Sequence, residues 1–234
     1  MHEVKTSPRS CFVTLTYDDK HLPKNKSLVV VDCQKFLKRL RKNTGLKIRY
    51  FLGGEYGEDH HRPHYHVILF GISKEDRVQI DLAWGLGYVS VFDVSLERAM
   101  YVAKYTTKKL SGPAASWYGD RKPEFGLMSR RPGIGHEFIE RNGGFVKHNG
   151  FVVVKGNKVG IPRYYRDAIF KTEEEKIELQ KKRQAFIDEA FAKSRVKAGG
   201  DSLAPYQVSD YIRTELAQGE VDMKAREEMK RRKL

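Results

Sequence analysis

The sequence predicts an α+β protein, a central antiparallel sheet with helices packed against it. Three observations carry that prediction. Several segments rich in β-branched and aromatic residues alternate with a period of two, as half-buried strands do. Two of them are joined by a loop too short for a parallel crossover, so they run antiparallel. Segments with apolar residues at helical spacing separate the rest. Cys11–Tyr17 (CFVTLTY) is the first strand, setting Cys11, Val13, Leu15 and Tyr17 against Phe12, Thr14 and Thr16. Asp32–Lys42 places Phe36, Leu37 and Leu40 at helical spacing, with Asp32 as N-cap. Ile48–Glu55 (IRYFLGGE) and His64–Phe70 (HYHVILF) are strands joined by YGEDHHRP, where Gly57 and Pro63 interrupt regular structure. Ser73, with Asp76 three residues on, caps a helix around Glu75–Trp84; a strand over Gly87–Val94 and a helix over Leu96–Leu110 follow.

Beyond Gly112 the texture changes. Phe145–His148, Phe151–Lys155 and Lys158–Ile161 read as the strands of a small meander, separated by the turn dipeptides Asn149-Gly150 and Gly156-Asn157. Thr172 and Glu175 form a capping box ahead of a helix to about Lys197. Ala198–Pro205 (AGGDSLAP) reads as a linker and Ser209–Lys233 as a second charged helix. The organisation expected is a core over 1–112, a basic and aromatic β-rich segment over 113–170, and a charged helical extension over 171–234.

Composition bounds the function. Of 234 residues, 40% are hydrophobic and 32% charged, enough apolar material for a core. The longest wholly apolar runs, Val67–Phe70 and Phe151–Val154, fall far short of the ~20 residues that span a bilayer, so no membrane role is expected. MHEVKTSPRS carries no apolar stretch resembling a signal peptide. Cys11 and Cys33 lack CxxC spacing, which removes a disulfide framework and a cysteine zinc site, and a reduced, cytoplasmic setting is expected. The net charge is +14 and unevenly placed: residues 1–170 carry 29 basic and 17 acidic side chains, residues 171–234 carry 15 and 13. So positive a body attracts polyanions through counterion release, which makes nucleic acid the first partner to consider.

Two features carry chemistry. His64-Tyr65-His66 lies at the start of a strand, where residues two apart project from one face. Two neighbouring imidazoles are half of a metal site, although an isolated pair of this kind is more commonly structural. The preceding strand ends in Glu55, which a hairpin sets beside His64 as an oxygen ligand; Glu58 and Asp59 are less rigid substitutes in the loop. One carboxylate, two imidazoles and open positions suit Mg²⁺ or Mn²⁺ acting on a phosphate. The second feature is YVAKYTTKK. Tyr101 and Tyr105 share a helical face, and Lys104 and Lys108 each follow a tyrosine by three. An unassisted tyrosine is only ~0.1% phenolate at pH 7, a deficit of about 4 kcal/mol, which neighbouring ammonium groups and a divalent cation reduce. Combined, the features make a phosphodiester transesterification site leaving a 5′-phosphotyrosine and a free 3′-hydroxyl.

FVTLTY, GEYGEDHHRPHYHVILFG and YVAKYTTKK, in that order, resemble the three motifs of HUH endonucleases. Most closely they resemble the replication initiators of microviruses, especially of the gokushovirus type, phages with circular single-stranded DNA. MSRRPGIGHEFI (Met128–Ile139) and PRYYRDAIF (Pro162–Phe170) are similar to further segments of that group, so the resemblance spans roughly residues 10–170. It implies an HUH endonuclease-like fold. Thr14 and Thr16 then shape the sheet near the site, His64, His66 and Glu55 are metal ligands, and Tyr101 and Tyr105 are nucleophiles. Lys104 and Lys108 become partners of phosphate or phenolate. It further implies nicking of a single-stranded DNA origin to start rolling-circle replication in a host bacterial cytoplasm. Helicase and polymerase would come from the host, since no Walker A motif is present. Arg62, Arg121, Lys122, Arg130, Arg131 and Trp117 are the expected DNA contacts, basic side chains for phosphates and an aromatic face for an unstacked base. The competing readings are a non-catalytic basic nucleic-acid-binding protein and a related transposase or relaxase of the same superfamily.

Overall fold

The computed structural model of the chain describes residues 1–57, 60–104, 110 and 112–198, without the side chains of residues 190, 197 and 198. Its elements are α1 (His2–Thr6), β1 (Ser10–Tyr17), α2 (Val30–Thr44), β2 (Arg49–Tyr56), β3 (Pro63–Phe70), a 3₁₀ turn (Lys74–Asp76) leading into α3 (Arg77–Trp84), β4 (Gly87–Phe92) and α4 (Leu96–Lys104). A 3₁₀ segment (Gly112–Tyr118), β5 (Phe125–Met128), α5 (His136–Asn149), β6 (Val152–Val154), β7 (Asn157–Val159), α6 (Arg163–Ile169) and α7 (Glu173–Ala198) follow. Five strands form one antiparallel sheet in the order β4-β1-β3-β2-β5, the α+β architecture the sequence predicts.

Each strand's alternation divides the sheet into two unlike faces. Cys11, Val13, Leu15 and Tyr17 of β1 and Tyr65, Val67 and Leu69 of β3 are fully buried with Phe36 and Leu40 of α2 and Ile80 and Trp84 of α3. This is the main core. Polar atoms inside it find partners: Trp84 Nε1 donates to the Thr16 carbonyl at 3.1 Å, and Tyr17 Oη donates to Asp32 at 2.7 Å. Val29 N–H donates to Tyr65 Oη at 2.7 Å. Hydroxyls from the sheet therefore satisfy the start of α2. The helix begins at Val30, and Asp32 lies in its first turn rather than at the cap. On the other face Phe12, Ile68 and Phe70 are covered by Val102 and Ala99 of α4. That smaller cluster fixes α4 over β2 and β3 and leaves the upper ends of those strands for polar residues.

The capping boxes at Ser73–Asp76 and Thr172–Glu175 are present as predicted. Three differences have local causes. Phe145–His148 is not a strand but the end of α5, and the meander reduces to the β6–β7 hairpin. Gly150, at φ +74°, donates to the Val146 carbonyl at 2.9 Å, so Asn149-Gly150 ends a helix instead of turning a hairpin; a left-handed glycine serves either purpose. The hairpin turns one residue earlier than expected, on Lys155 and Gly156, both at positive φ. β5, unpredicted, is four residues without clear alternation and completes the sheet only through its pairing with β2.

The chain forms two compact units. The first is Met1–Phe145 with Val152–Ile169 and contains the sheet. The second is Val146–Phe151 with the described chain from Phe170; there Leu179 is buried, Lys147 pairs with Glu175, and Lys182 Nζ donates to the His148 carbonyl at 2.9 Å. The predicted helix over Ser209–Lys233 lies outside the described residues.

Candidate active site

The site stands on the α4 face of the sheet, where the register aligns polar residues of three strands. Thr16 of β1 lies opposite His64 of β3, which lies opposite Glu55 of β2. One row further, Thr14 lies opposite His66. Tyr65, between the histidines, points into the core as period-two geometry requires. Glu55 and His66 are buried at 6% and 7% relative exposure, which makes their pairing obligatory: a carboxylate that deep needs a partner. Glu55 Oε1 lies 2.6 Å from His66 Nε2 and accepts a hydrogen bond from Tyr101 Oη at 3.1 Å. The Tyr101 ring stands edge-on to His66, with centroids 5.0 Å apart, and Phe12 stacks on His66 at 5.7 Å. Tyr101 itself is 37% exposed, so the phenol is held by the carboxylate and open to solvent.

Each histidine also has a threonine on its inner nitrogen. Thr14 Oγ1 is 3.1 Å from His66 Nδ1, and Thr16 Oγ1 is 3.1 Å from His64 Nδ1. A hydroxyl donates or accepts as its partner requires. With Glu55 bonded to His66 Nε2–H, Thr14 donates to Nδ1. If Nε2 instead gives its lone pair elsewhere, Nδ1 carries the proton and Thr14 accepts it. Burial, chiefly, holds the His64 pKa below the ordinary value, aided by His66 and Arg62 and opposed by Glu55, so its imidazole stays neutral. Gly57 completes the pocket wall: a Cβ there would stand 2.9 Å from His64 Nε2, so only glycine allows that approach.

Among the described residues, no three His, Cys, Asp or Glu side chains stand at metal-ligand spacing. In donor chemistry the set nevertheless suits a divalent cation. Two imidazoles with oriented Nδ1 atoms and one carboxylate share a face, and an oriented inner nitrogen is the usual arrangement behind a ligating histidine. The Glu55–His66 contact would have to open for all three to serve together.

The remaining predicted residues separate into two groups. Arg62 Nε and Nη2 donate to the Tyr17 carbonyl at 3.1 and 2.9 Å, and Nη2 donates to Asp19 at 2.8 Å, fastening the histidine-bearing hairpin to the end of β1. Arg121 lies 4.1 Å over the Trp117 ring and 5.2 Å over Tyr56, His61 meets Trp117 at 5.1 Å, and Lys122 Nζ is 5.9 Å from the Phe125 ring. These sit at the Glu55 end of β2. Arg130 and Arg131 follow the opposite end of β5, beside Phe51 in the register, so the structure does not bring them to the same place. Lys104 is exposed one turn after Tyr101. Tyr105, Lys108, Glu58 and Asp59 lie outside the described residues. Phe12 and Gly57 are the site residues that sequence reading missed; the alternation placed Phe12 on the Thr14 face, but nothing marked it as a histidine's neighbour.

The fold and this polar row mark the class of protein that comparison also finds. Residues 10–110 match the family model of replication-associated proteins of the ORF2 type, and over that region the chain belongs to this family. The chain is 33% identical over 202 residues to the replication-associated protein VP4 of Bdellovibrio phage phiMH2K, covering 75% of this chain and 62% of that protein. It is 31% identical over 186 residues to the replication-associated protein ORF2 of Spiroplasma virus 4, covering 69% and 57%. It is 28% identical over 194 residues to the replication-associated protein ORF4 of Chlamydia phage 1, covering 72% and 48%. The match thus spans about half to three fifths of the length of these curated relatives. No solved structure matches the chain.

Proposed function

We propose that this protein is an HUH-type nickase and strand transferase that initiates rolling-circle replication of a circular single-stranded phage genome. The observation that carries the reading is the convergence of Tyr101, Glu55 and His66 within hydrogen-bond reach, with His64 on the same face. The relatives' description as replication-associated proteins and the basic charge of the chain support it.

In this reading His64, His66 and Glu55 hold Mg²⁺ or Mn²⁺, which when bound would neutralise charge on the scissile phosphate. The chain's own groups do the rest. Glu55 orients the Tyr101 hydroxyl, and the threonines hold the imidazoles in the plane in which they can serve. Tyr101 Oη forms the bond to phosphorus as the P–O3′ bond breaks; the phenol proton leaves and the departing 3′ oxygen acquires one from water. The products are a 5′-phosphotyrosine and a 3′-hydroxyl primer, and attack by a 3′-hydroxyl reverses the step. Tyr105 is proposed as a second nucleophile for strand transfer, with Lys104 and Lys108 near phosphate or phenolate. Trp117, Arg121 and Lys122 are proposed to hold DNA at the Glu55 end of β2, and host helicase and polymerase to complete replication.

The test uses origin-bearing single strands with Mn²⁺. Wild type is expected to form a covalent protein–DNA adduct that chelator abolishes, while Tyr101→Phe combined with Tyr105→Phe forms none. An adduct surviving the double substitution overturns the tyrosine assignment. The direct Glu55–His66 bond also favours one other reading, a structural histidine in a non-catalytic binding protein, which predicts DNA binding indifferent to chelator and no nicking.

A further inference from the structure

We infer that Tyr88 is a base-stacking residue that positions single-stranded DNA next to the cleaved linkage; its place beside that linkage rests on the reading above. β4 is an edge strand, and its alternation sends Val89 into the core and Tyr88, Ser90 and Phe92 to the active-site face. These three are exposed, and Tyr88 is the most open large apolar side chain of the whole sheet, at 69%. α4 covers β2 and β3, so the floor over β1 and β4 is open beside it.

The register ties this floor to the site. Tyr88 lies opposite Thr16, and Thr16 lies opposite His64. Two inter-strand steps put Tyr88 ~10 Å from His64 along the row, a distance that one or two extended nucleotides bridge. Phe92, four residues further, is already occupied: the Arg98 guanidinium of α4 lies 4.8 Å over its ring and 5.9 Å over Phe12, and is held by the Asp93 carbonyl at 2.9 Å. Arg98 thus makes one wall of the floor positive. Lys20, Lys24 and Lys26 are exposed on the segment that leaves β1 beside Tyr88 and add positive charge there. A solvent-facing aromatic plane, flanked by cations and in line with the proposed reaction centre, is the arrangement that accepts an unstacked base while the backbone is neutralised. A phenol rather than an aliphatic group is also what a sequence-tolerant contact uses, because every base has a π-face.

The experiment measures affinity for a labelled oligothymidylate in the presence of chelator, so that cleavage does not contribute, and separately measures adduct formation with Mn²⁺. Tyr88→Ala is expected to weaken binding roughly tenfold or more, and Tyr88→Phe to keep wild-type affinity, because the ring and not the hydroxyl makes the contact. In oligonucleotides carrying one abasic site at successive positions, wild type should lose affinity at one position that Tyr88→Ala no longer senses. Unchanged affinity in Tyr88→Ala, or an abasic penalty that persists in it, overturns the assignment. Failure of wild type to form any adduct overturns the nickase reading alone, since the chelator arm reads stacking without it.

Discussion

At the residue scale, the two threonines decide how the histidines present themselves. Both inner ring nitrogens are engaged at 3.1 Å, and both hydroxyls can switch between donor and acceptor as the imidazole tautomer changes. Thr14→Val and Thr16→Val keep the β-branched shape and remove that partner. Each is expected to reduce Mn²⁺ affinity about 10- to 100-fold, read by calorimetry, with little change in the urea midpoint. Affinity unchanged in both would mean the hydroxyls do not orient ligands. The site's residue types and their common face were legible in the sequence because strand alternation alone aligns His64 with His66 and the hairpin sets Glu55 opposite His64. The choice Glu55 makes was not legible. Its carboxylate reaches diagonally to His66 rather than straight across to His64, a matter of side-chain packing under Tyr101 and Phe12. The two cysteines were read correctly as inert: both are buried, and burial pushes the Cys11 thiol up to about 12.

At the element scale, the short α1 is a tie that no periodicity could reveal in five residues. Glu3 accepts from Arg49 Nε and from the Gly135 amide, both at 2.5 Å, while Arg49 also donates to the carbonyls of Pro132 and Gly133 at 2.9 and 2.7 Å. His2 stacks on Phe138 at 3.7 Å and contacts Tyr165 Oη and the Val153 carbonyl at 3.2 and 3.1 Å. So α1 joins β2 to the segment that follows the sheet. Glu3→Ala strands a buried guanidinium and amide and is expected to cost about 3–5 kcal/mol in urea unfolding. A loss below about 1 kcal/mol would show the pair to be dispensable. Burial, above all, lowers the His2 pKa below its ordinary 6.5. The folded protein then binds fewer protons than the unfolded chain, so stability is full above pH 6.5 and falls as pH drops from there to the folded pKa. His2→Gln removes that contribution, and its stability should decline less steeply over this window, leaving His64, which shifts the same way, to account for the remainder. Parallel pH curves for the two proteins would contradict the assignment.

At the scale of the whole molecule, the antiparallel sheet brings residues from three distant stretches, Thr14–Thr16, Glu55–His66 and Tyr101, onto one surface. The first four strands of that sheet were legible because each alternates over six or more residues. β5, α1 and α6 were not, being too short to carry a period and depending on contacts made elsewhere in the chain. The basic side chains read as one DNA surface divide instead between the two ends of β5, since a strand's length separates Lys122 from Arg130. Arg121, Lys122 and Trp117 stay with the site, and Tyr88 on the opposite edge adds a contact that composition did not suggest. Everything proposed for this surface depends on a tyrosine of the α4 segment becoming joined to DNA. The most direct measurement is mass spectrometry of the peptide spanning Tyr101–Lys108 after reaction with origin DNA and Mn²⁺. The account predicts a nucleotide adduct on Tyr101 or Tyr105, lost in Tyr101→Phe combined with Tyr105→Phe. Cleaved DNA with that peptide unmodified would contradict it.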